Sequence, residues 1–310
     1  MTKNIFTRIF KAITHPKWFS INLLNRYASL ISNDRMYIKW KYWLTLGEKC
    51  NLDNPKTFQE KLQWIKLNDR KDIYHQMVDK YDAKQFIKEK VGEEYVIPTL
   101  GVWDKFEDIN FDSLPNQFII KNTYDSGTYF ICNDKSKLDI YEVRKRLMID
   151  DHSRKVDYYV FSREWPYKGL KHRIIAEPLL KDGKGDYLTD YKFFTFNGTA
   201  KFFYTTSNRG CEGGLKEDFF DVEGKLMELN QEGYYNNPIT PELPKNLSKM
   251  IEFSSILAKD TYHLRVDFYE VNGKLYCGEL TFFDGGGFYN FTPKKYNNIL
   301  GDWIKLPFEQ

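Results

Sequence analysis

The stretch HLRVDFYEVNGKLYCGELTFFDGGGF, residues 263–288, decides how the rest of the sequence is interpreted. Two β-prone runs flank an Asn-Gly pair, which is a strong short-range signal for a β-hairpin. Most side chains of the two runs are aromatic or aliphatic, but Arg265, Asp267 and Glu279 are charged. A hairpin that only builds a sheet does not need three such charges, so these strands are predicted to carry part of a functional site.

The length of the hairpin loop decides whether the three charges share one face. A loop of two residues places Asp267 opposite Gly278 and turns Glu279 to the other face of the sheet. A loop of three residues instead places Arg265 opposite Glu279, with Asp267 diagonally beside it. The charges therefore converge only if the loop is odd-numbered or a strand is bulged.

Convergence would create a site for a divalent cation. Two carboxylates on adjacent strands repel each other, and Mg²⁺ relieves this repulsion because it takes one or two carboxylates together with phosphate oxygens. Asp267 and Glu279 would then hold the metal, and Arg265 would hold a phosphate that is being transferred. The alternative is a solvated sheet face on which Arg265 simply pairs with the acids.

The composition describes a globular protein and excludes several classes. The 310 residues are 42% apolar and carry a net charge of only +3, which argues against a nucleic-acid surface. The four cysteines show no C-x-x-C spacing, so we expect reduced thiols and no zinc site. No run of signal-peptide length or of about 20 apolar residues is present, so we expect a cytoplasmic protein.

The N-terminal segment is basic and amphipathic. Residues 1–33 contain five Lys or Arg residues and no acid, and the apolar residues of segment 3–13 fall on one helical face. One interpretation is a helix that docks on its own domain. The other is a helix that contacts a partner in an assembly complex or the inner face of a membrane.

The chain changes from helices to strands along its length. Residues 1–78 read as mostly helical, with an apolar face supplied by Phe58, Leu62 and Ile65. Later segments read as strands grouped in hairpins, one of them about Asn197-Gly198. This pattern predicts an α+β fold with largely antiparallel sheets rather than a βαβ repeat.

A lysine at a strand end is the first candidate for a phosphate contact. Lys121 ends the apolar run FIIK and precedes NTYDSG, a small polar loop in which Gly127 can adopt a positive φ. The ammonium would supply charge while the N–H groups of the loop cradle phosphate oxygens. A solvated lysine before a turn is the alternative.

Two further strands carry charges that need partners. Glu177 ends the buried run RIIAE, where it could accept from an adenine amine beside the N–H of Leu179, or form a salt bridge with Arg173 or a lysine. Lys192 shares a strand face with Asp190. The pair could be a simple ion pair or a phosphate-facing lysine with an acid near a ribose or metal.

Taken in order, the pieces VDKYDAKQFIKEKVG, FIIKNTYDSG, RIIAEPLL, DYKFFTFNG and LRVDFYEVNGKLYCGELTF resemble the ATP-grasp superfamily, and in particular its TupA-like branch. The resemblance covers about residues 54–305. It implies two α+β lobes, about 96–180 and 181–310, that hold ATP between antiparallel sheets. These lobes form a domain of residues 79–310 after the helical region 1–78.

The resemblance assigns the phosphate-binding residues. The D-K motif of the family falls on Asp79-Lys80, and its strand-end lysine falls on Lys121, so that both segments would contact ATP phosphates. The small loop through Ser126 and Gly127 would close over them.

The resemblance also assigns the contacts to the base. The adenine hinge falls on residues 177–180, with Glu177 and Leu179 as base contacts.

Lys192 matches a later phosphate-binding lysine and would act in catalysis with Arg265.

The hairpin matches the R-x-D…E-x-N signature of related amide ligases. Arg265 is its arginine, and Asp267 and Glu279 are its metal acids. Thr281 replaces the asparagine of the signature as a third metal-binding position, and its hydroxyl is a poorer magnesium ligand.

The function implied by the resemblance is an ATP- and Mg²⁺-dependent carboxylate–amine ligase. Such an enzyme forms an amide through an acylphosphate and releases ADP and phosphate. In the TupA-like branch the substrates would be an amino acid and a uronic-acid-containing saccharide of capsular or exopolysaccharide biosynthesis. The alternatives are a glycosyltransferase of such a pathway and a non-catalytic saccharide-binding or scaffold protein.

Overall fold

The computed structural model describes residues 16–147, 157–183, 188–207 and 214–309. The amphipathic segment 3–13 lies outside these ranges. Within them, no helix has the length and apolar character needed to cross a bilayer.

Most helices of the described ranges lie in the first third of the chain, as the sequence predicts. In chain order they are α1 Pro16–Arg26, α2 Asp34–Leu46, α3 Phe58–Asn68, α4 Ile73–Val78, α5 Asp82–Val91, α6 Ile140–Leu147, α7 Tyr159–Ser162, α8 Leu247–Leu257 and α9 Lys295–Trp303.

Helix α3 illustrates why these segments are helical. Thr57 caps its N-terminus in a capping box: its side chain accepts from the backbone N–H of Glu60, and the Glu60 side chain accepts in return from the backbone N–H of Thr57. The predicted apolar face is confirmed, since Phe58, Leu62 and Ile65 are all buried. They belong to the same core as the phenylalanines of the largest sheet, so the helical region packs into the main core.

The strands form two large antiparallel sheets, which confirms the α+β prediction. They are β1 Gly101–Trp103, β2 Phe118–Asn122, β3 Tyr129–Cys132, β4 Ile174–Pro178, β5 Asp190–Phe196, β6 Thr199–Ser207, β7 Lys216–Asp221, β8 Asn230–Gln231, β9 His263–Val271, β10 Lys274–Thr281 and β11 Phe291–Thr292. One sheet has the order β1-β4-β2-β3, and the other has the order β10-β9-β5-β6-β7; β8 and β11 form a separate pair. The lobe boundaries predicted from the sequence stay predictions, although each large sheet falls within one predicted lobe.

The β9–β10 hairpin combines a loop of two residues with a bulge. Asn272 and Gly273 adopt φ values of +52° and +80°, as a tight hairpin turn requires, so the loop of three residues is wrong. The register then shifts between Cys277 and Glu279, which places Glu279 directly opposite Asp267. The bulge therefore brings both carboxylates to the same face, as the sequence required for a shared metal site.

Gly278 is the residue that the bulge leaves unpaired. A Cβ atom at this position would lie 2.6 Å from Cε2 of Tyr269 and 3.3 Å from the backbone oxygen of Asp267. The absence of a side chain allows the Tyr269 ring to lie over the bulge.

We expect Gly278→Ala to destabilise the protein by about 1–3 kcal/mol, because the new methyl group forces Tyr269 or the bulge to move. The measurement is urea denaturation, with Lys274→Ala at the exposed end of the same hairpin as the control. A Gly278→Ala protein as stable as the wild type would show that the bulge accepts a side chain.

Candidate active site

A cleft of about 380 Å³ lies between the two large sheets and takes residues from both. Apart from Asp79 and Thr281, the site residues predicted from the sequence all line it: Lys80, Lys121, Ser126, Gly127, Glu177, Leu179, Lys192, Arg265, Asp267 and Glu279. Residues that are far apart in the sequence thus line one cleft, as the combination of motifs predicted.

Glu177 is held between two lysines at the end of the cleft formed by the small sheet. Its carboxylate accepts from Nζ of Lys121 and from Nζ of Lys84, each at 2.6 Å. Burial by itself would raise the pKa of this carboxyl, but the two ammonium groups outweigh it and lower the pKa. The prediction that Glu177 forms a salt bridge with a lysine is confirmed. The alternative partner, Arg173, binds Asp79 and Asp82 instead.

Most of the apolar lining of the cleft was not predicted from the sequence. Ile97, Ile119, Ile131 and Leu188 line it together with Leu180, which belongs to the predicted hinge 177–180. They come from two strands, β2 and β3, and from two loops, so no local pattern in the sequence marks them as one surface. Their side chains could enclose a flat heterocycle.

The loop after β2 supplies polar groups to the cleft. Lys80 Nζ donates to the backbone oxygen of Asp125, next to Ser126. Gly127 has a φ of +83°, and a Cβ atom there would meet nothing within 4 Å. The space beside Gly127, which lines the cleft, is therefore open.

Asp79 does not face the cleft, contrary to its expected role beside the phosphates. It is fully buried, and its carboxylate accepts from the backbone N–H groups of Tyr81 and Asp82 at the start of α5. Arg173 lies 2.9 Å from the same oxygen, Oδ1, whereas Oδ2 has no hydrogen-bond partner among the described residues. Asp79 thus positions the helix that carries Lys84, and Lys80 alone of the D-K pair lines the cleft.

Three charged residues form a row across β5, β9 and β10. Lys192 lies opposite Asp267 on one side, and Glu279 lies opposite Asp267 on the other. Lys192 Nζ is 2.5 Å from Oδ2 of Asp267. The ion pair of Lys192 is therefore with Asp267 rather than with Asp190, which accepts instead from the hydroxyl of Thr206 at 2.6 Å.

Arg265 connects the row to the loop that follows the hairpin. Its Nε and one terminal nitrogen donate to Asp267 at 2.6 and 2.7 Å, and the other terminal nitrogen donates to Asp284. Burial would raise the pKa of Asp267, but Arg265 and Lys192 lower it, so the carboxylate stays ionised. The expected convergence of Arg265 with Asp267 and Glu279 on one face is confirmed, and the metal-binding role of the two acids stays a prediction.

Thr281 lies outside the cleft lining. It is opposite Arg265 in the hairpin, and its hydroxyl accepts from an Arg265 nitrogen at 3.1 Å. Its predicted contribution to metal binding stays a prediction.

Asp284 is an important residue of the site that sequence reasoning missed. It follows the hairpin by three residues, is 4% exposed, and accepts from the hydroxyl of Tyr289 at 2.5 Å as well as from Arg265. The only signal in the sequence was its place before the glycine triplet. Those glycines allow a close approach to α3, since a Cβ atom on Gly287 would lie 2.6 Å from Nε2 of Gln63.

The donor set fits a magnesium ion that is also bound by phosphate. Asp267 and Glu279 face each other, and within the described ranges no ion pair occupies Glu279. Across those ranges no cluster of three or more His, Cys, Asp or Glu side chains could hold a metal by itself. Two carboxylates with room for phosphate oxygens are what Mg²⁺ takes in nucleotide sites.

Glu217 is a second buried carboxyl near the charged row. It lies on β7 opposite Thr206 and is 3% exposed, and its Oε2 has no hydrogen-bond partner within the described residues. Burial and the charge of Asp284 raise its pKa to about 8, against the opposing effect of Lys192 and Arg265.

Comparison with known proteins gives one family match. The model of the TupA-like ATP-grasp family matches residues 60–305, which include every strand of the two large sheets. No curated protein matches the sequence significantly.

Solved structures resemble parts of the fold at low identity. D-alanine–D-alanine ligase from Bacillus anthracis, complexed with ATP, is 16% identical, with 74% of this chain and 64% of that chain covered and a TM-score of 0.45. N5-carboxyaminoimidazole synthetase from Staphylococcus aureus, complexed with ADP, is 14% identical over 75% of this chain and 53% of that chain, with a TM-score of 0.41.

The carboxyl of Glu217 makes stability depend on pH. Because its folded pKa of about 8 lies above its ordinary value of 4.5, the folded chain binds more protons between these values, and stability falls as the pH rises through this window. Glu217→Gln removes the titration. We expect the free energy of unfolding of the variant, relative to the wild type, to rise by about 1–3 kcal/mol from pH ~5 to ~8.

Urea denaturation at several pH values measures this difference. Glu223→Gln, at an exposed glutamate, is the control, and it should show no such trend. A constant difference between Glu217→Gln and the wild type across the pH range would contradict a buried carboxyl that titrates near neutrality.

Proposed function

Because this chain belongs to the TupA-like ATP-grasp family, we propose that it is an ATP-dependent ligase that joins a carboxylate to an amine. The observation that carries the proposal is that one cleft is lined both by lysines from the two sheets and by the paired acids Asp267 and Glu279. ATP would be consumed there as a substrate.

The small-sheet end of the cleft suits the adenine base. Glu177 and the backbone of Leu179 offer an acceptor and a donor at its edge, and aliphatic side chains line the space around them. A flat ring with an exocyclic amine and ring nitrogens matches this combination of groups.

The other end suits the phosphates. Lys80, Lys121 and Lys192 all line the cleft and would neutralise phosphate charge together with the Ser126-Gly127 loop. Lys121, which also binds Glu177, would lie between the base and the phosphates. Asp267 and Glu279 would hold Mg²⁺, which supplies positive charge beside the phosphates when it is bound. Arg265 would steady the transferred phosphoryl group from its fixed position between Asp267 and Asp284.

The proposed reaction has two steps. A carboxylate oxygen of the first substrate forms a bond to the γ-phosphorus of ATP while the bond to the bridging oxygen breaks, and ADP leaves. The amine nitrogen of the second substrate then bonds to the acyl carbon, the bond to phosphate breaks, and the amine loses a proton. The protein contributes mainly position and charge neutralisation.

We propose an amino acid and a uronic-acid-containing saccharide of capsular or exopolysaccharide biosynthesis as the substrates, with the reaction in the cytoplasm. The support for these substrates is membership of the TupA-like branch.

The test is release of ADP from ATP and Mg²⁺ across a panel of amino acids and uronic-acid saccharides. We expect one pair to stimulate ADP release. AMP as the product would contradict the acylphosphate route, UDP from a nucleotide sugar would favour the glycosyltransferase, and absence of ATP binding would favour a non-catalytic saccharide-binding protein.

Two variants test the site without breaking the fold. Glu279→Gln removes a carboxylate that has no ion pair within the described residues, and Lys121→Ala leaves Glu177 paired with Lys84. We expect each to lower the rate of ADP release by roughly 100-fold or more, with unchanged thermal stability. Lys137→Ala, at a lysine whose side chain is 83% exposed, is the control. Wild-type rates in both cleft variants would overturn the assignment of the site.

A further inference from the structure

A large apolar surface lies on α1, on α2 and on the turn between them, and it shares no residue with the cleft. We call it the α1–α2 face and define it by Leu23, Tyr27, Leu30, Trp40 and Trp43, which are between 46% and 78% exposed. A groove of about 400 Å³ runs along it and is apolar except for one serine; it is lined by Ser20, Leu23, Leu24, Tyr27, Ile31, Trp40, Trp43 and Leu44.

This face is not needed for the core. Helix α2 already buries Tyr37, Ile38 and Tyr42 on its inner side, so Trp40 and Trp43 form a second apolar side that faces solvent. Contiguous exposed apolar patches of this kind mark interaction sites in soluble proteins.

The charge around the face is positive. The first 33 residues contain five basic residues and no acid, and the described ones, Lys17 and Arg26, are exposed and form no ion pair within the described ranges. Asp34, the first acid of the chain, is tied to Arg70 and Arg163 at 3.0 and 3.4 Å. The surface thus combines aromatic side chains with uncompensated cations.

We propose that the α1–α2 face binds the surface of an anionic lipid bilayer. Tryptophan and tyrosine favour the boundary between headgroups and acyl chains, because their rings have an apolar body and a polar tip. Cations beside them add attraction to acidic headgroups. A protein partner would suit the apolar groove, but it would not by itself account for a segment that is basic throughout and lacks any acid.

Hydrogen bonds link the inner side of α2 to the loop that carries Asp284, the partner of the cleft residue Arg265. The Tyr37 hydroxyl and Lys41 Nζ donate to the backbone oxygen of Phe161 at 3.0 and 2.7 Å. Lys66 donates to the next carbonyl, that of Ser162, and to Gly286 in the loop after Asp284. Docking through this face would therefore fix the orientation of the cleft relative to the bilayer.

The experiment measures flotation of the full-length protein with vesicles of phosphatidylcholine, with or without phosphatidylglycerol. We expect binding to the anionic vesicles, and a loss of roughly tenfold or more in Trp40→Glu/Trp43→Glu. Tyr235→Glu/Ile239→Glu is the matched control, since both residues are exposed apolar positions outside the face. It should bind like the wild type, and both variants should keep wild-type circular dichroism and nucleotide binding in solution.

Several results would overturn the proposal. One is a wild type that does not float with anionic vesicles, or that floats equally with neutral ones. Another is binding that survives Trp40→Glu/Trp43→Glu and disappears when residues 1–15 are removed, which would locate the contact in that segment. A third is a wild type that forms oligomers and does not bind vesicles, while Trp40→Glu/Trp43→Glu is monomeric. This result would make the face a contact between copies of the chain. Failure of ligase activity in the panel of substrates would leave the vesicle result unaffected.

Discussion

The buried contact between Arg265, Asp267 and Asp284 is the interaction on which the rest of the site depends. Removing an isolated carboxylate and a guanidinium from water costs several kcal/mol each, so the contact persists only because each charge has close, oriented partners. Arg265 uses three nitrogens on the two acids, and Lys192 adds a fourth bond to Asp267. This network fixes the strand face, the loop after the hairpin and the position of the lysine together.

The network constrains how the chain around it is built. Asp284 can reach Arg265 because the three glycines that follow it adopt φ values of +53°, +65° and +68°, a conformation that L side chains rarely take. The resulting loop lies against α3, where Lys66 donates to Gly286 at 2.7 Å. The helical region that precedes the sheets therefore supports the site, and it is part of the same structure rather than an attachment to it.

Much of the fold was predictable because its signals are local. The Asn-Gly turns, the apolar strands and the amphipathic face of α3 each follow from a few neighbouring residues. The partners of the charged residues were harder to predict, since an ion pair depends on which segments meet in space. Lys84 on α5 and Asp284 after the hairpin show this: neither has a local pattern that points to Glu177 or Arg265.

The sequence by itself determined the hairpin, the antiparallel α+β class and the set of cations and acids that line the cleft. Only the tertiary structure decided the register that joins Asp267 to Glu279. Because successive side chains of a strand point to opposite faces, a loop of two residues without a bulge would place these carboxylates on opposite faces of the sheet. The unpaired Gly278 shifts the register by one residue and returns both to one face. A bulge forms where cross-strand packing favours it, here under the ring of Tyr269, and that packing exists only in the folded sheet.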